Sequence, residues 1–287
     1  MAALTALLAS LLWGTADFLG GTAARRLPVA SVLGVSQLVA LLGLVPLAAS
    51  LGAFDEPPAY VLPGLGAGLA GMVALGAFYR ALATGTMGVI APIAALGVVV
   101  PIGLGLLDGE HPTLLQLVGM AVAVVGVVLA SGPELSGRGR GGALPLLLAG
   151  VAALGFGTVL VLVAVASGGE DGTVGAVVMT LLTMRLASVL TLTVLLLVFL
   201  RSRGGDIAVR RGDLPVLMAI GAFDVGANGA YALASQSELV SVAAVLASLY
   251  PVVTVLLARR FHAERLARVQ LGGVALALTG VVALAAG

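Results

Sequence analysis

Residues 110–119 read Glu110-His111-Pro112-Thr113-Leu114-Leu115-Gln116-Leu117-Val118-Gly119, and residues 264–273 read Glu264-Arg265-Leu266-Ala267-Arg268-Val269-Gln270-Leu271-Gly272-Gly273. A glutamate, a glutamine and a glycine recur in register, and Gly126 and Gly280 extend the match, so four pairs share one offset of 154. A repeat at that spacing divides the chain into two similar halves. Between them lies the one linker-like stretch, 133–142, Pro-Glu-Leu-Ser-Gly-Arg-Gly-Arg-Gly-Gly. The expected organisation is therefore a first repeat over 1–132, a linker over 133–142 and a second repeat over 143–287. Shorter echoes support it: Trp13-Gly14-Thr15 against Phe156-Gly157-Thr158, and Tyr79-Arg80-Ala81-Leu82-Ala83 against Tyr231-Ala232-Leu233-Ala234.

Composition says where these halves reside. Hydrophobic residues make up 60% of the 287 and charged residues 9%, against roughly 45–50% and 25% in soluble domains. A water-soluble globule could not cover its surface with so few charges. Crossing a hydrocarbon core takes about 20 apolar residues in a helix, and ten runs meet that length. They fall near 2–23, 29–51, 59–84, 88–107, 114–132, 143–166, 173–200, 214–234, 239–258 and 266–285. The breaks carry polar punctuation, such as Asp55-Glu56-Pro57-Pro58 and Asp108-Gly109-Glu110-His111-Pro112. The first run has no Lys or Arg before it and is longer than the apolar core of a signal peptide, so it reads as a span. Five spans per half is an odd number, which inverts the second half relative to the first. The expected fold is all-α and integral to the membrane: ten transmembrane helices as two inverted five-helix repeats, a pattern found in transporters.

Several function classes drop out. A net charge of +1 offers no basic stripe for nucleic acid. Zero cysteines remove thiolate metal sites and cysteine nucleophiles, and His111 and His262 both sit beside breaks in hydrophobicity. No GxxxxGK loop, Ser-His-Asp set or metal-ligand spacing occurs. The sequence calls for no cofactor, no metal and no enzymatic activity.

Leu12-Trp13-Gly14 in the first span, Leu249-Tyr250-Pro251-Val252-Val253 in the ninth, and Glu264-Arg265-Leu266 with Gln270, Gly273 and Gly280 at the last resemble the drug/metabolite transporter superfamily, EamA type. The resemblance runs over nearly the whole chain. It implies a ten-span secondary transporter and export driven by the proton gradient. The first copy departs from the Glu-Arg-Leu pattern, reading Glu110-His111-Pro112.

Charge sorts the loops. Those after spans one, five, seven and nine hold twelve arginines; those after two, four, six and eight hold none, and seven acidic residues. The positive-inside rule places the arginine-rich side in the cytoplasm and both termini outside a cell (inner) membrane. The resemblance implies the opposite, termini inside; twelve arginines against none favour the placement with the termini outside.

Charges inside spans cost about 2.5–3.5 kcal/mol each on insertion scales, so the three well inside spans are candidates for function: Asp17, Arg185 and Asp224. Asp224 stands one turn from Asn228 and Asp17 one turn from Trp13, placing each pair on one helix face. The alternative is an internal ion pair that only fixes packing. Arg185 either neutralises an aspartate or grips a substrate carboxylate through two parallel hydrogen bonds. Tyr250, mid-span beside Pro251, is the cavity candidate among the tyrosines, whereas Tyr79 and Tyr231 are read as interfacial anchors. Arg80 is expected to reach for the interface, and Gln37 to pack against a helix or meet a ligand. Pro92 and Pro101 in span four and Pro251 in span nine mark helix breaks in corresponding places, which point to a midplane site, or else ordinary kinks.

Together these features predict a carrier of a small cationic or zwitterionic metabolite, an amino acid or amine, working by alternating access. Its partners are the substrate, the lipid bilayer and protons, with Asp17, Asp224, Arg185, Trp13, Asn228 and Tyr250 at the site. The alternatives are multidrug or cationic-compound efflux, and a non-transporting scaffold or lipid-binding protein.

Overall fold

The computed structural model describes residues 2–85, 87–130, 143–168, 172–203, 209–236, 239–262 and 267–286. The stretch expected as a linker, 133–142, and Glu264-Arg265-Leu266 lie outside the described residues. The helices are α1 (Ala2–Ala24), α2 (Val29–Ser50), α3 (Val61–Thr84), α4 (Met87–Ala95), α5 (Val99–Leu107) and α6 (Leu114–Ala130). There follow α7 (Ala143–Ala166), α8 (Val174–Arg203), α9 (Leu214–Ser235), α10 (Val240–Ala247), α11 (Tyr250–His262) and α12 (Arg268–Ala286). No strand occurs among the described residues. Seven segments are long and apolar enough to cross a membrane, namely α1, α2, 58–84, α7, 174–194, 211–235 and 240–262. The protein is thus a helical, multi-pass membrane protein.

Two expected spans are interrupted rather than continuous. The fourth is α4 and α5 joined through a 3-10 turn at Leu96–Val98, and the ninth is α10 and α11 joined by a turn at 248–249. Pro101 and Pro251 explain where. Proline has no N–H to give to the carbonyl four residues back, which is Gly97 in one case and Ala247 in the other. Pro92 lies within α4 without breaking it.

Large apolar side chains such as Leu62, Leu107 and Leu114 stand exposed, while the buried faces are made largely of Ala and Gly. In lipid no hydrophobic force draws helices together, so association depends on close approach of small residues. Gly280 of α12 lies against Gly119 and Ala123 of α6, Gly97 against Ala153 and Gly157 of α7, and Gly14 of α1 against Tyr250 and Val253.

Contacts recur with the halves exchanged. Helix α1 packs on α9 and α3 on α7; α2 packs on α9 and α8 on α3. Gly14 meets Tyr250 and Val253 as Gly157 meets Gly97 and Val100. Gly68 meets the Met184 carbonyl as Gly221 meets that of Ser36. Trp13 neighbours Tyr231, with ring centroids 6.0 Å apart, as Phe156 neighbours Phe78 at 5.4 Å.

The loops tie the halves together. Glu56 accepts a hydrogen bond from Thr173 Oγ1 at 2.6 Å. Glu110 accepts from the backbone N–H groups of Val240 at 2.8 Å and Ser241 at 3.3 Å, at the start of α10. Among the arginine-bearing loops, Arg25 and Thr22 each meet the His262 ring at 3.2 Å, and Arg26 lies 4.0 Å from Asp213.

Gly97→Val would place a branched side chain against the Ala153 carbonyl. It is expected to destabilise the protein by about 1–3 kcal/mol, read as a lowered unfolding midpoint in detergent. Gly34→Ala, with nothing within 4 Å of the added carbon, is expected to leave the midpoint unchanged.

Candidate substrate cavity

Five long helices, α1, α3, α7, α8 and α9, and the breaks in the fourth and ninth spans converge on one cavity. Helix α1 contributes Trp13 and Asp17, α8 contributes Arg185, and α9 contributes Asp224 and Asn228; Ser248 and Tyr250 come from the break between α10 and α11. All six residues singled out in the sequence line it. The rest of the wall is mostly apolar, including Leu75, Val98, Phe156, Val159 and Met184. The cavity measures about 60 Å³ as swept by the centre of a water molecule.

Arg185, 1% exposed, anchors the polar wall. Its Nη1 lies 2.9 Å from Asp224 Oδ2 and donates to Gln37 Oε1 at 2.7 Å. Gln37 Nε2 in turn donates to Asp224 Oδ2 at 3.4 Å. Asn228, one turn beyond Asp224, donates through Nδ2 to the Asp224 carbonyl at 2.7 Å and to Oδ1 at 3.0 Å. The aspartate is therefore held by α2, α8 and its own helix. A buried ion pair persists in low dielectric only when further hydrogen bonds satisfy both partners, and Gln37 and Asn228 supply them.

Asp17 stands differently. It is buried, lines the same cavity, and makes no hydrogen bond or ion pair with any described residue. Trp13 is fixed on two sides, by Tyr231 at 6.0 Å and by the edge of Tyr250 at 6.4 Å. Tyr231 donates its hydroxyl to the Leu160 carbonyl of α7 at 3.0 Å.

The interfacial assignment of Tyr79 and Tyr231 is corrected. Both are buried, Tyr79 with its ring on the bare backbone of Gly20 and Tyr231 against Trp13. Nearness to a helix end in sequence does not say which neighbouring helix covers it. Arg80 is exposed. Gln37 proves central to the polar network; its one sequence signal is that it is the sole amide in span two. Phe156 echoed Trp13 in sequence, and the structure puts both on the cavity wall.

The model of the EamA-like transporter family matches residues 1–132 and again 143–286. The chain belongs to that family. Its members are transporters, and this chain is accordingly a membrane transporter of the drug/metabolite type. No curated protein matches it. Among the solved structures that match, one described only as "Crystal structure of protein" shares 17% sequence identity, with a TM-score of 0.71 over 98% of this chain and 95% of that one. At that identity the likeness concerns the fold.

Because the ion pair is buried, Arg185→Met leaves Asp224 uncompensated and is expected to cost about 3–5 kcal/mol. The double variant Arg185→Met with Asp224→Leu is expected to recover most of that loss. Asp17→Asn, which breaks no bond and removes an unpaired buried carboxylate, is expected to hold or raise the unfolding midpoint. Unfolding midpoints of the purified variants check all three.

Proposed function

We propose that the protein is a secondary active transporter that moves a small cationic or zwitterionic metabolite, an amino acid or amine, across the cell membrane by alternating access. One observation carries this reading: both halves of the chain line one buried cavity, and a carboxylate there, Asp17, has no hydrogen-bond or ion-pair partner among the described residues. An unpaired carboxylate away from water favours any cation that enters. A proton and a substrate ammonium therefore compete for Asp17, and that competition is a coupling mechanism for proton-driven export. Asp224, already held by Arg185, Gln37 and Asn228, keeps the cavity in shape.

The proposed architecture is ten spans in two inverted repeats, 1–132 and 143–287. Its support is the set of contacts that recur with the halves exchanged. The breaks in the fourth and ninth spans add to this, since Gly97 and Val98 from one and Ser248 and Tyr250 from the other face the cavity. Broken helices meeting at a central site are a recurring transporter device. The arginine-rich loops are proposed to be cytoplasmic and the termini outside, on the charge bias alone.

The test is flux in proteoliposomes, with and without a pH gradient, for amino acids, amines and cationic dyes. Gradient-driven flux is expected for wild type. It should fall at least about 100-fold in Asp17→Asn, in line with removal of a positioned proton-transfer group. Undiminished gradient-driven flux in Asp17→Asn would refute the coupling role, and flux confined to dyes would favour drug efflux.

A further inference from the structure

Five buried side-chain atoms have no hydrogen-bond partner among the described residues: Arg185 Nε and Nη2, Asn228 Oδ1, Tyr250 Oη and Ser241 Oγ. An orphaned buried polar group costs roughly 1–3 kcal/mol, so such atoms are scarce in native proteins. Four of the five belong to three residues that line the one cavity. Their chemistry sorts into two kinds. Arg185 presents Nε and Nη2, the two donors along one edge of the guanidinium, while Nη1 alone serves Asp224 and Gln37. A guanidinium edge with both N–H groups free matches a carboxylate through two parallel hydrogen bonds, and the Tyr250 hydroxyl adds a third donor. On the acceptor side, Asn228 Oδ1 is unpartnered, its amide nitrogen being committed to Asp224, and the Asp17 carboxylate on the same wall accepts no hydrogen bond from a described residue.

We propose that the transported solute is a small aliphatic zwitterion, whose carboxylate docks on the Nε–Nη2 edge of Arg185 and whose ammonium is received by Asp17 and Asn228. The inference rests on the transport reading and narrows it. A simple amine would satisfy the acceptors and leave the guanidinium edge and Tyr250 hydroxyl unpaired. A site built to hydrogen-bond a group rejects the analogue that lacks it, because its own buried donors then stay unsatisfied. The apolar wall of Leu75, Val98, Val159, Leu160 and Met184 accepts an aliphatic side chain and offers nothing to a polar one.

The chain supplies its own reporter, since its one tryptophan is Trp13, on the cavity wall. Its fluorescence is to be titrated in the purified, full-length protein with L-leucine, with isopentylamine, which lacks the carboxylate, and with 4-methylpentanoate, which lacks the ammonium. Leucine is expected to give a saturable change, and the two truncated analogues to need at least about tenfold higher concentrations. Arg185→Lys, which keeps the charge and loses the edge, should weaken leucine at least about tenfold and leave isopentylamine unchanged. Tyr250→Phe, which removes one hydroxyl and is the safer variant for folding, should weaken leucine and leave the amine unchanged.

Equal affinity for leucine and isopentylamine would overturn the proposal while leaving a cation transporter standing. So would losses in Arg185→Lys and Tyr250→Phe that are the same for both ligands. A response to none of the three compounds would also overturn it, and flux of other solutes would then decide the transport reading separately.

Discussion

A guanidinium in the middle of a bilayer has one way to remain there, which is to be held by groups that replace its water. In this protein Asp224 and Gln37 do so, from a helix of each half, and Asn228 steadies the aspartate in turn. The rest of the cavity depends on this arrangement. Because a single nitrogen of Arg185 carries both interactions, the rest of the guanidinium keeps its hydrogen-bonding capacity. Because Asp224 is already paired, Asp17 is the cavity carboxylate without a hydrogen bond or ion pair among the described residues. One residue pair thus sets the charge pattern that an entering solute encounters.

Placing that pair requires helices that approach closely without a hydrophobic force between them. Glycine and alanine make this possible: Gly68 admits the Met184 carbonyl beside Arg185, and Gly221 admits that of Ser36 beside Gln37. The two contacts are counterparts across the halves, so Gln37 occupies in α2 the place that Arg185 occupies in α8. The same relation puts Phe156 opposite Trp13. The bundle is built by near-equivalent packing, while the chemistry it encloses is one-sided. Leu160 stands a turn beyond Phe156 just as Asp17 stands a turn beyond Trp13. A cavity with a polar wall on one side and an apolar wall on the other is what an amphiphilic solute requires.

Much of this was legible in the sequence, for a physical reason. Charges within 20-residue apolar runs are so costly that they announce themselves, and Asp17, Arg185 and Asp224 stand out for that reason. Prolines likewise marked the two interrupted helices, because a missing N–H acts locally. What depends on neighbours was not legible. Gln37 carries no charge, and an amide inside a span looks the same whether it packs or bridges an ion pair. Tyr79 and Tyr231 were misplaced at the interface because position along a helix is read from sequence, whereas lateral cover comes from Gly20 and Trp13 on another helix. Phe156 could not be told from core, since an apolar wall of a cavity and an apolar core have the same composition.

The central claim is that this cavity opens in turn to the two sides of the membrane. The chain has no cysteine, so a single Ser248→Cys substitution at the cavity wall gives an unambiguous probe. Its modification by a membrane-impermeant maleimide, added to one side of oriented proteoliposomes at a time, measures access directly. The account predicts labelling from both sides, with rates that change in opposite directions when the pH gradient is reversed. Labelling from one side only, unchanged by the gradient, would contradict it.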